Sequence, residues 1–331
     1  MAKMLINGEL TDKPKSADGV FHRQASQFRH WLSRDGKTGF KAEAGRYVLY
    51  ISKACPWCHR TSIMHALKGL EQVVAVVNME AVMTEQGWKI NAEDLVTQPQ
   101  LPTVRFLYEM YLLAERHYTG PITAPLLWDT KTQTIVSNES ADIMRMFNSE
   151  FSAFEPKHDE GGYFFNMDFY PLALQGQIDE VNDFIYHNIS NGIYQVGFAQ
   201  TQAAYDEAIG RLFTALDDME HRLHGQSYLL GEEITEADWR FFASLIRFDV
   251  VYFHHFKASK KRIGDYKNLS RYTKNLYNLP GIADTVDVTH IKQHYFLSHK
   301  QLNASGIIPV CSASTLGLFN RTDELLHQTQ S

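Results

Sequence analysis

Tyr47-Val48-Leu49-Tyr50-Ile51-Ser52-Lys53-Ala54-Cys55-Pro56-Trp57-Cys58-His59-Arg60 is the stretch on which the fold turns. Its first five residues are a nearly unbroken apolar, β-prone run, the pattern of a strand buried on both faces. After the cysteines, Ile63, Met64 and Leu67 recur at helical spacing over residues 60–69, and Gly69 is a natural helix stop. Residues 73–77, Val-Val-Ala-Val-Val, read as a second buried strand. Strand, helix and strand of these lengths make a βαβ unit with a parallel pair.

Residues 78–100 are looser, and residues 108–114 suit a helix. Pro125-Leu126-Leu127-Trp128 and Thr134-Ile135-Val136 read as two strands joined by a polar turn, hence a hairpin. A helix is expected over 138–147, with Asn138 as N-cap and Ile143, Met144 and Phe147 on its apolar face. The order β-α-β, helix, β-β-α, with a cysteine at the first strand-to-helix turn and a proline opening the third strand, is that of the thioredoxin-like fold. Beyond Phe154 helices dominate, over 172–187, 201–223, 235–252 and 266–279. Thr235 and Asp238 have capping-box spacing, with Ile234 and Trp239 placed as a hydrophobic staple. The expected fold class is an α/β thioredoxin-like N-terminal domain followed by an all-α C-terminal domain, the glutathione-transferase architecture. The expected divisions are an N-terminal extension over 1–44, a glutathione-binding domain over 45–150, and a helical substrate domain with a tail over 165–331.

Only three cysteines occur in 331 residues, too few for a disulfide scaffold and in keeping with a reducing compartment. A formal net charge of −6 argues against a general nucleic-acid partner, which would need clustered Lys and Arg. No apolar run approaches a membrane span, and residues 1–16 lack the apolar core of a secretory signal. The expectation is a cytoplasmic protein with no membrane partner.

A cysteine reacts as its thiolate, and the free N–H groups and dipole of a helix N-terminus stabilise that anion. Cys55 falls where the helix should begin, Pro56 suits the first turn, and His59 and Arg60 can add positive charge, so Cys55 is the expected nucleophile. Cys58 lies about one turn on. It admits two readings: a thiol that resolves a mixed disulfide on Cys55, or a small apolar residue on the buried helix face. Cys-x-x-Cys-His is also the attachment pattern of c-type haem. A buried strand leads straight into the motif and no export signal is seen, so no haem is expected. No metal is expected either: Cys311 is far from the pair, and the adjacent His254 and His255 are poorly arranged for chelation.

A mixed-disulfide enzyme also needs a place for its second thiol. Pro125 stands where this fold puts a cis proline beside the nucleophile, which would aim the Leu126 backbone at an extended peptide such as glutathione. In Asn138-Glu139-Ser140 a helix N-terminus can take the γ-glutamyl carboxylate. Glu139 can pair with the ligand's ammonium, and Ser140 can hydrogen-bond its carboxylate.

From about Trp31 to Pro309 the sequence resembles the glutathionyl-hydroquinone reductases, or Xi-class glutathione transferases. The resemblance rests on Cys55-Pro56-Trp57 with His59-Arg60, Leu127-Trp128-Asp129, Ser137-Asn138-Glu139-Ser140, Asn191-Gly192-x-Tyr194 and Gly197-Phe198-Ala199. It continues through Thr235-Glu236-Ala237-Asp238, Arg247-Phe248-Asp249, His255-Phe256-Lys257, His294-Tyr295-Phe296 and Gly306-Ile307-Ile308. It implies reduction of an S-glutathionyl hydroquinone by glutathione, through a mixed disulfide on Cys55, to free hydroquinone and oxidised glutathione. It also implies a quinone-derived aromatic substrate met by Tyr194, Tyr252 and Tyr295, Trp88 lining the glutathione site, and a homodimer. Two positions depart from the family's usual pattern. Cys58 stands where alanine is usual, and Pro121 where an arginine is usual, so a cation such as Lys53 or Arg105 would have to take that arginine's place. The alternative activity is a glutaredoxin-like dithiol disulfide oxidoreductase using Cys55 and Cys58. A non-catalytic thiol-binding protein on the same scaffold is a third reading.

Overall fold

The structure is a computed structural model and describes residues 3–14, 16, 18–96, 98, 100–156 and 164–310. Cys311 lies outside the described residues. The chain divides into two units. The first comprises Met1–Pro14, Gln24–Asp168 and Asp284–Val286, and the second Lys15–Arg23, Phe169–Ala283 and Asp287–Ser331.

The first unit opens with strands β1 (Lys3–Ile6) and β2 (Glu9–Asp12), an antiparallel hairpin turning at Asn7 and Gly8, both of positive φ. Two short parallel strands follow, β3 (Leu32–Ser33) and β4 (Phe40–Lys41). Then comes the deciding stretch: β5 (Tyr47–Ile51), with every residue buried, and helix α1 (Pro56–Leu67). The next strand, β6 (Ala75–Asn78), starts two residues later than the sequence pattern suggests. Val73 and Val74 instead close the turn after α1, their N–H groups donating to the Leu70 carbonyl. Helices α2 (Ala92–Val96) and α3 (Leu107–Ala114) precede β7 (Gly120–Pro121), which adds to the edge of β1. Strands β8 (Leu126–Asp129) and β9 (Thr134–Ser137) form the expected hairpin, and α4 (Ser140–Ser149) follows.

The central sheet has the order β6-β5-β8-β9, with β5 parallel to β6 and antiparallel to β8. Its apolar strands need cover on both faces, and α1 and α4 pack together with buried Ile63, Met64, Leu67, Ile143, Met144 and Phe147. Asp129, from the Leu127-Trp128-Asp129 motif, has a structural task. Arg46 grips its fully buried carboxylate through Nε at 2.8 Å and Nη2 at 2.6 Å, and Asp129 also accepts from Lys131 N and Thr132 Oγ1 in the hairpin turn.

The second unit is helical: α5 (Gln175–Ile185), α6 (Asn191–Gly197), α7 (Gln202–Arg222), α8 (Glu236–Arg247), α9 (Phe253–His255), α10 (Lys267–Tyr277) and α11 (Val288–Ser298). The capping box is formed as its spacing requires, with Thr235 N and Oγ1 meeting Asp238 Oδ2 at 2.8 and 3.1 Å. Asp238 also accepts from Leu229 N and the Tyr272 hydroxyl, so one buried carboxylate fixes a helix start, a loop and a neighbouring helix. Two π-helical segments, Tyr186–Ser190 and Phe248–Tyr252, link α5 to α6 and α8 to α9. Each inserts an extra residue into the turn and so rotates the side chains that follow. No helix among the described residues is long and apolar enough to cross a membrane.

Candidate functional site

Cys55 is the N-cap of α1, held by its N–H to Ser52 O at 3.0 Å, and Pro56 occupies the first turn. The side chain makes no capping bond, so the sulfur sits at the positive end of α1 instead of closing it. Cys55 is 7% exposed, and its Sγ lies 3.7 Å from the Ala124 carbonyl oxygen. The Ala124–Pro125 peptide bond is cis. Leu126 starts β8 opposite Tyr50, at the end of the sheet beside the thiol. Cys58 is 0% exposed, and its Sγ accepts from Ser52 N at 3.4 Å.

The N-terminus of α4 differs from the expectation. Its N-cap is Glu139, whose carboxylate accepts from Ala141 N at 3.0 Å, and the helix starts at Ser140. Asn138 has another task. Its amide donates to the Tyr111 hydroxyl at 3.0 Å and to Thr123 Oγ1 at 3.3 Å, and its oxygen accepts from Phe28 N. Tyr111 donates in turn to the Thr123 carbonyl, which fixes the loop leading into Pro125.

His59 and Arg60 have side-chain partners of their own. The His59 ring meets Thr285 Oγ1 at 2.8 Å. Arg60 lies over the Trp57 ring at 4.9 Å and donates to Ser140 Oγ through Nε at 3.0 Å and to Glu139 Oε1 through Nη2 at 3.4 Å. One buried guanidinium thus links the Cys55 helix to the α4 N-terminus. Burial pushes the Glu139 carboxyl up, but Arg60, the Ala141 N–H and Ser26 outweigh it and hold it below its ordinary value. Glu139 therefore stays an anion at neutral pH. Ser140, with its oxygen engaged by Arg60, keeps a hydroxyl proton to donate. Ser26 Oγ donates to Glu139 Oε2 at 3.0 Å, a contact no motif announced.

Pro121 is a strand residue of β7 paired with Met4, and Arg60 is a cation standing at Glu139 and Ser140. Trp88 is half-buried after a tight turn over Thr84–Gly87, and its carbonyl accepts from Leu107 N at the start of α3.

The helical unit gathers its own set. The Tyr194 and Tyr295 hydroxyls are 2.8 Å apart, and those of Tyr252 and Tyr295 3.3 Å. Tyr252 ends the second π segment, and Tyr194 lies in α6 just beyond the first. Tyr252 stacks on Phe256 at 5.6 Å, and Phe256 meets Tyr194 at 5.4 Å. Tyr252 and Tyr295 are 1% and 2% exposed, whereas Tyr194 is half-buried. Burial pushes the Tyr295 hydroxyl well above the ordinary tyrosine range, with Tyr194 and Tyr252 adding to it. Tyr295 therefore keeps its hydroxyl proton at neutral pH. Two hydrogen bonds join the three hydroxyls through Tyr295. Among the described residues no cluster of His, Cys, Asp and Glu has the makings of a metal centre.

A cysteine at a helix N-terminus on a thioredoxin-like sheet, followed by an all-helical second half, is the architecture of a glutathione transferase. The family descriptions "Glutathione S-transferase, N-terminal domain" and "Glutathione S-transferase, C-terminal domain" match residues 54–150 and 202–275. Among curated relatives, the Escherichia coli K12 protein "Glutathionyl-hydroquinone reductase YqjG" is 48% identical over 303 residues, 89% of this chain and 90% of its own. The Sphingobium chlorophenolicum protein "Glutathionyl-hydroquinone reductase PcpF" is 42% identical over 316 residues, 95% and 97% of the two chains. The glutathione-bound structure of the E. coli protein superposes with a TM-score of 0.80 at 45% identity, covering 93% of this chain and 95% of that one. The crystal structure of glutathione S-transferase Xi from Phanerochaete chrysosporium gives 0.83 at 42% identity, covering 89% and 94%. The chain belongs to the glutathionyl-hydroquinone reductase family, the Xi class of the glutathione transferases.

Proposed function

We propose that the protein reduces S-glutathionyl hydroquinones to hydroquinones with glutathione as reductant. The thiol at the N-terminus of α1, beside the Ala124–Pro125 backbone, is the observation that carries this reading, together with the named activity of the two reductase relatives. The Cys55 thiolate attacks the thioether sulfur of the substrate's keto form. The carbon–sulfur bond breaks, its electron pair passes to the ring carbon and is spread as an enolate, and Cys55 holds the glutathionyl group as a mixed disulfide. The enolate takes a proton and becomes hydroquinone. A second glutathione thiolate then attacks the mixed disulfide, releasing oxidised glutathione and restoring the Cys55 thiolate.

Residues 45–150 serve the glutathionyl unit. Leu126 offers backbone pairing, Glu139 meets the ammonium, Ser140 the carboxylate, and Trp88 lines the site. The helical half, within 165–331, serves the aromatic unit. There a hydroxyl of the Tyr194, Tyr252 and Tyr295 trio donates to the ring oxygen that gains charge as the carbon–sulfur bond breaks. The burial of Cys58 favours a one-thiol mechanism over the dithiol alternative. A cytoplasmic setting keeps Cys55 reduced and supplies glutathione, and the family resemblance carries the assignment of a homodimer.

The test is Cys55→Ser assayed on a glutathionyl-hydroquinone, with mass spectrometry of the wild type after glutathione disulfide treatment. The expected outcome is complete loss of turnover and one glutathione adduct on Cys55. Undiminished turnover by the serine variant would end this reading.

A further inference from the structure

Arg23 has no part in the reading above, yet it reaches the tyrosine trio. It belongs to the segment Lys15–Arg23, which groups with the helical unit. The Gln200 N–H donates to the Gly19 carbonyl at 3.0 Å, and Ser16 Oγ donates to the Val20 carbonyl. Phe21 packs on Tyr194 and Phe198, with ring centroids 6.1 and 5.6 Å apart. Two residues on, the Arg23 guanidinium lies 5.4 Å from the centroid of the Tyr194 ring. Its Nε donates to Asn191 Oδ1 at 3.4 Å. Asn191 precedes Tyr194 by three residues in α6, so the two share a helix face, and the amide holds the guanidinium over the ring.

We propose that Arg23 is a positioning residue of the reductase reaction, acting through Tyr194, and that Tyr194 is the member of the trio that donates to the substrate oxygen. This rests on the reading of the trio as hydrogen-bond donors to the aromatic substrate. Tyr252 and Tyr295 are nearly sealed and Tyr194 is half-exposed, so Tyr194 is the member of the trio that a substrate can reach. When Tyr194 donates to an oxygen gaining negative charge, its own ring takes up part of that charge. A cation over the ring face favours the change, and within about 6 Å such a contact is worth an appreciable free energy. The effect grows as charge develops, so it belongs to the transition state and appears in kcat more than in KM. A lysine's compact charge would reproduce it in part, without the planar stacking and the fixed Nε–H.

The experiment compares wild type, Arg23→Met, Arg23→Lys, Tyr194→Phe and the Arg23→Met/Tyr194→Phe pair on one glutathionyl-hydroquinone. Thermal midpoints and glutathione affinity are measured for every protein. Arg23→Met is expected to lose about 3- to 30-fold in kcat, the span of cation–π strengths, with KM changed little. Arg23→Lys should fall between it and the wild type. In the Tyr194→Phe background the arginine change should cost nothing further, because the hydroxyl it serves is gone. An equal loss in both backgrounds, or none in either, overturns the proposal. So does a loss that follows the thermal midpoint or glutathione affinity and is not recovered in part by lysine. A wild type with no turnover would overturn the reductase reading itself, a result separate from any of these.

Discussion

The two thiols of the Cys55-Pro56-Trp57-Cys58 motif differ in their surroundings. Cys55 sits at a helix N-terminus facing the Ala124 carbonyl, and Cys58 faces inward one turn later, accepting from Ser52 N with no exposed surface. We expect Cys58→Ala to keep turnover within about twofold of wild type and to lower stability by about 1 kcal/mol through the lost buried sulfur. A tenfold fall in turnover at unchanged stability would restore the dithiol mechanism. Arg60 carries the second prediction at this scale. It is the cation at Glu139 and Ser140 and a cause of the lowered Glu139 carboxyl. A carboxylate with a depressed pKa stays charged until the pH falls through that folded value, so wild-type glutathione affinity should be flat from pH 7 to 5. Arg60→Met removes the cation and lets the Glu139 carboxyl rise. The variant should bind glutathione about tenfold more weakly at pH 7, the scale of a charge-assisted contact, and weaken further by pH 5. Titration calorimetry at both pH values decides it, and a variant with the wild-type profile refutes it. That Cys55 would stand at a helix N-terminus was legible in the sequence, because helix-start signals are local. The partners of Arg60, about 80 residues away, were not, and Ser26 gave no signal at all.

At the level of elements, local rules read well where one stretch decides its own state. The unbroken run of β5, the capping box of α8 and the hairpin of β8 and β9 all stand where their patterns place them. Elements set by tertiary partners did not announce themselves. Strand β7 is two residues long and exists because β1 lies beside it, and α6 is too short to display a period. The π segments are the largest gap, since an inserted residue shifts the phase of a helix without changing its composition. The close approach of α6 to Phe256 shows what these joints hold in place. A Cβ on Gly197 would collide with the Phe256 ring, which itself stacks on Tyr252 and meets Tyr194. Gly197→Ala should therefore cost roughly 1–3 kcal/mol by overpacking, despite alanine's better helix propensity. Its turnover should fall more than its glutathione affinity, because Phe256 supports the tyrosines. Urea unfolding with parallel kinetics tests this, and a variant as stable as wild type would show that Phe256 moves aside freely.

Across the whole molecule, buried histidines tie stability to pH in both units. His65 of α1 donates from Nε2 to the Val74 carbonyl, and burial lowers its pKa. In the helical unit His255 Nε2 meets His299 Nδ1 at 3.1 Å. Burial, with the Lys257 charge, takes His255 down to about 4, and burial with His294 and His255 nearby takes His299 well below its usual value. The unfolded chain would protonate each near pH 6.5, so between that pH and the folded value the unfolded state binds more protons. Stability is therefore complete above about pH 6.5 and is lost as the pH falls towards the folded values. Kept neutral to about 4, His255 loses roughly 2 kcal/mol between pH 7 and pH 5, and the lowered His65 and His299 act in the same direction. The lowered carboxylates Asp129 and Glu139 respond only under more acid conditions, while burial raises the Asp238 and Glu155 carboxyls, which work against the histidines as the pH falls. Urea unfolding followed by far-ultraviolet ellipticity should show a midpoint clearly lower at pH 5 than at pH 7. Equal midpoints at the two pH values would mean that these imidazoles reach solvent and protonate in the folded state as readily as in the unfolded one.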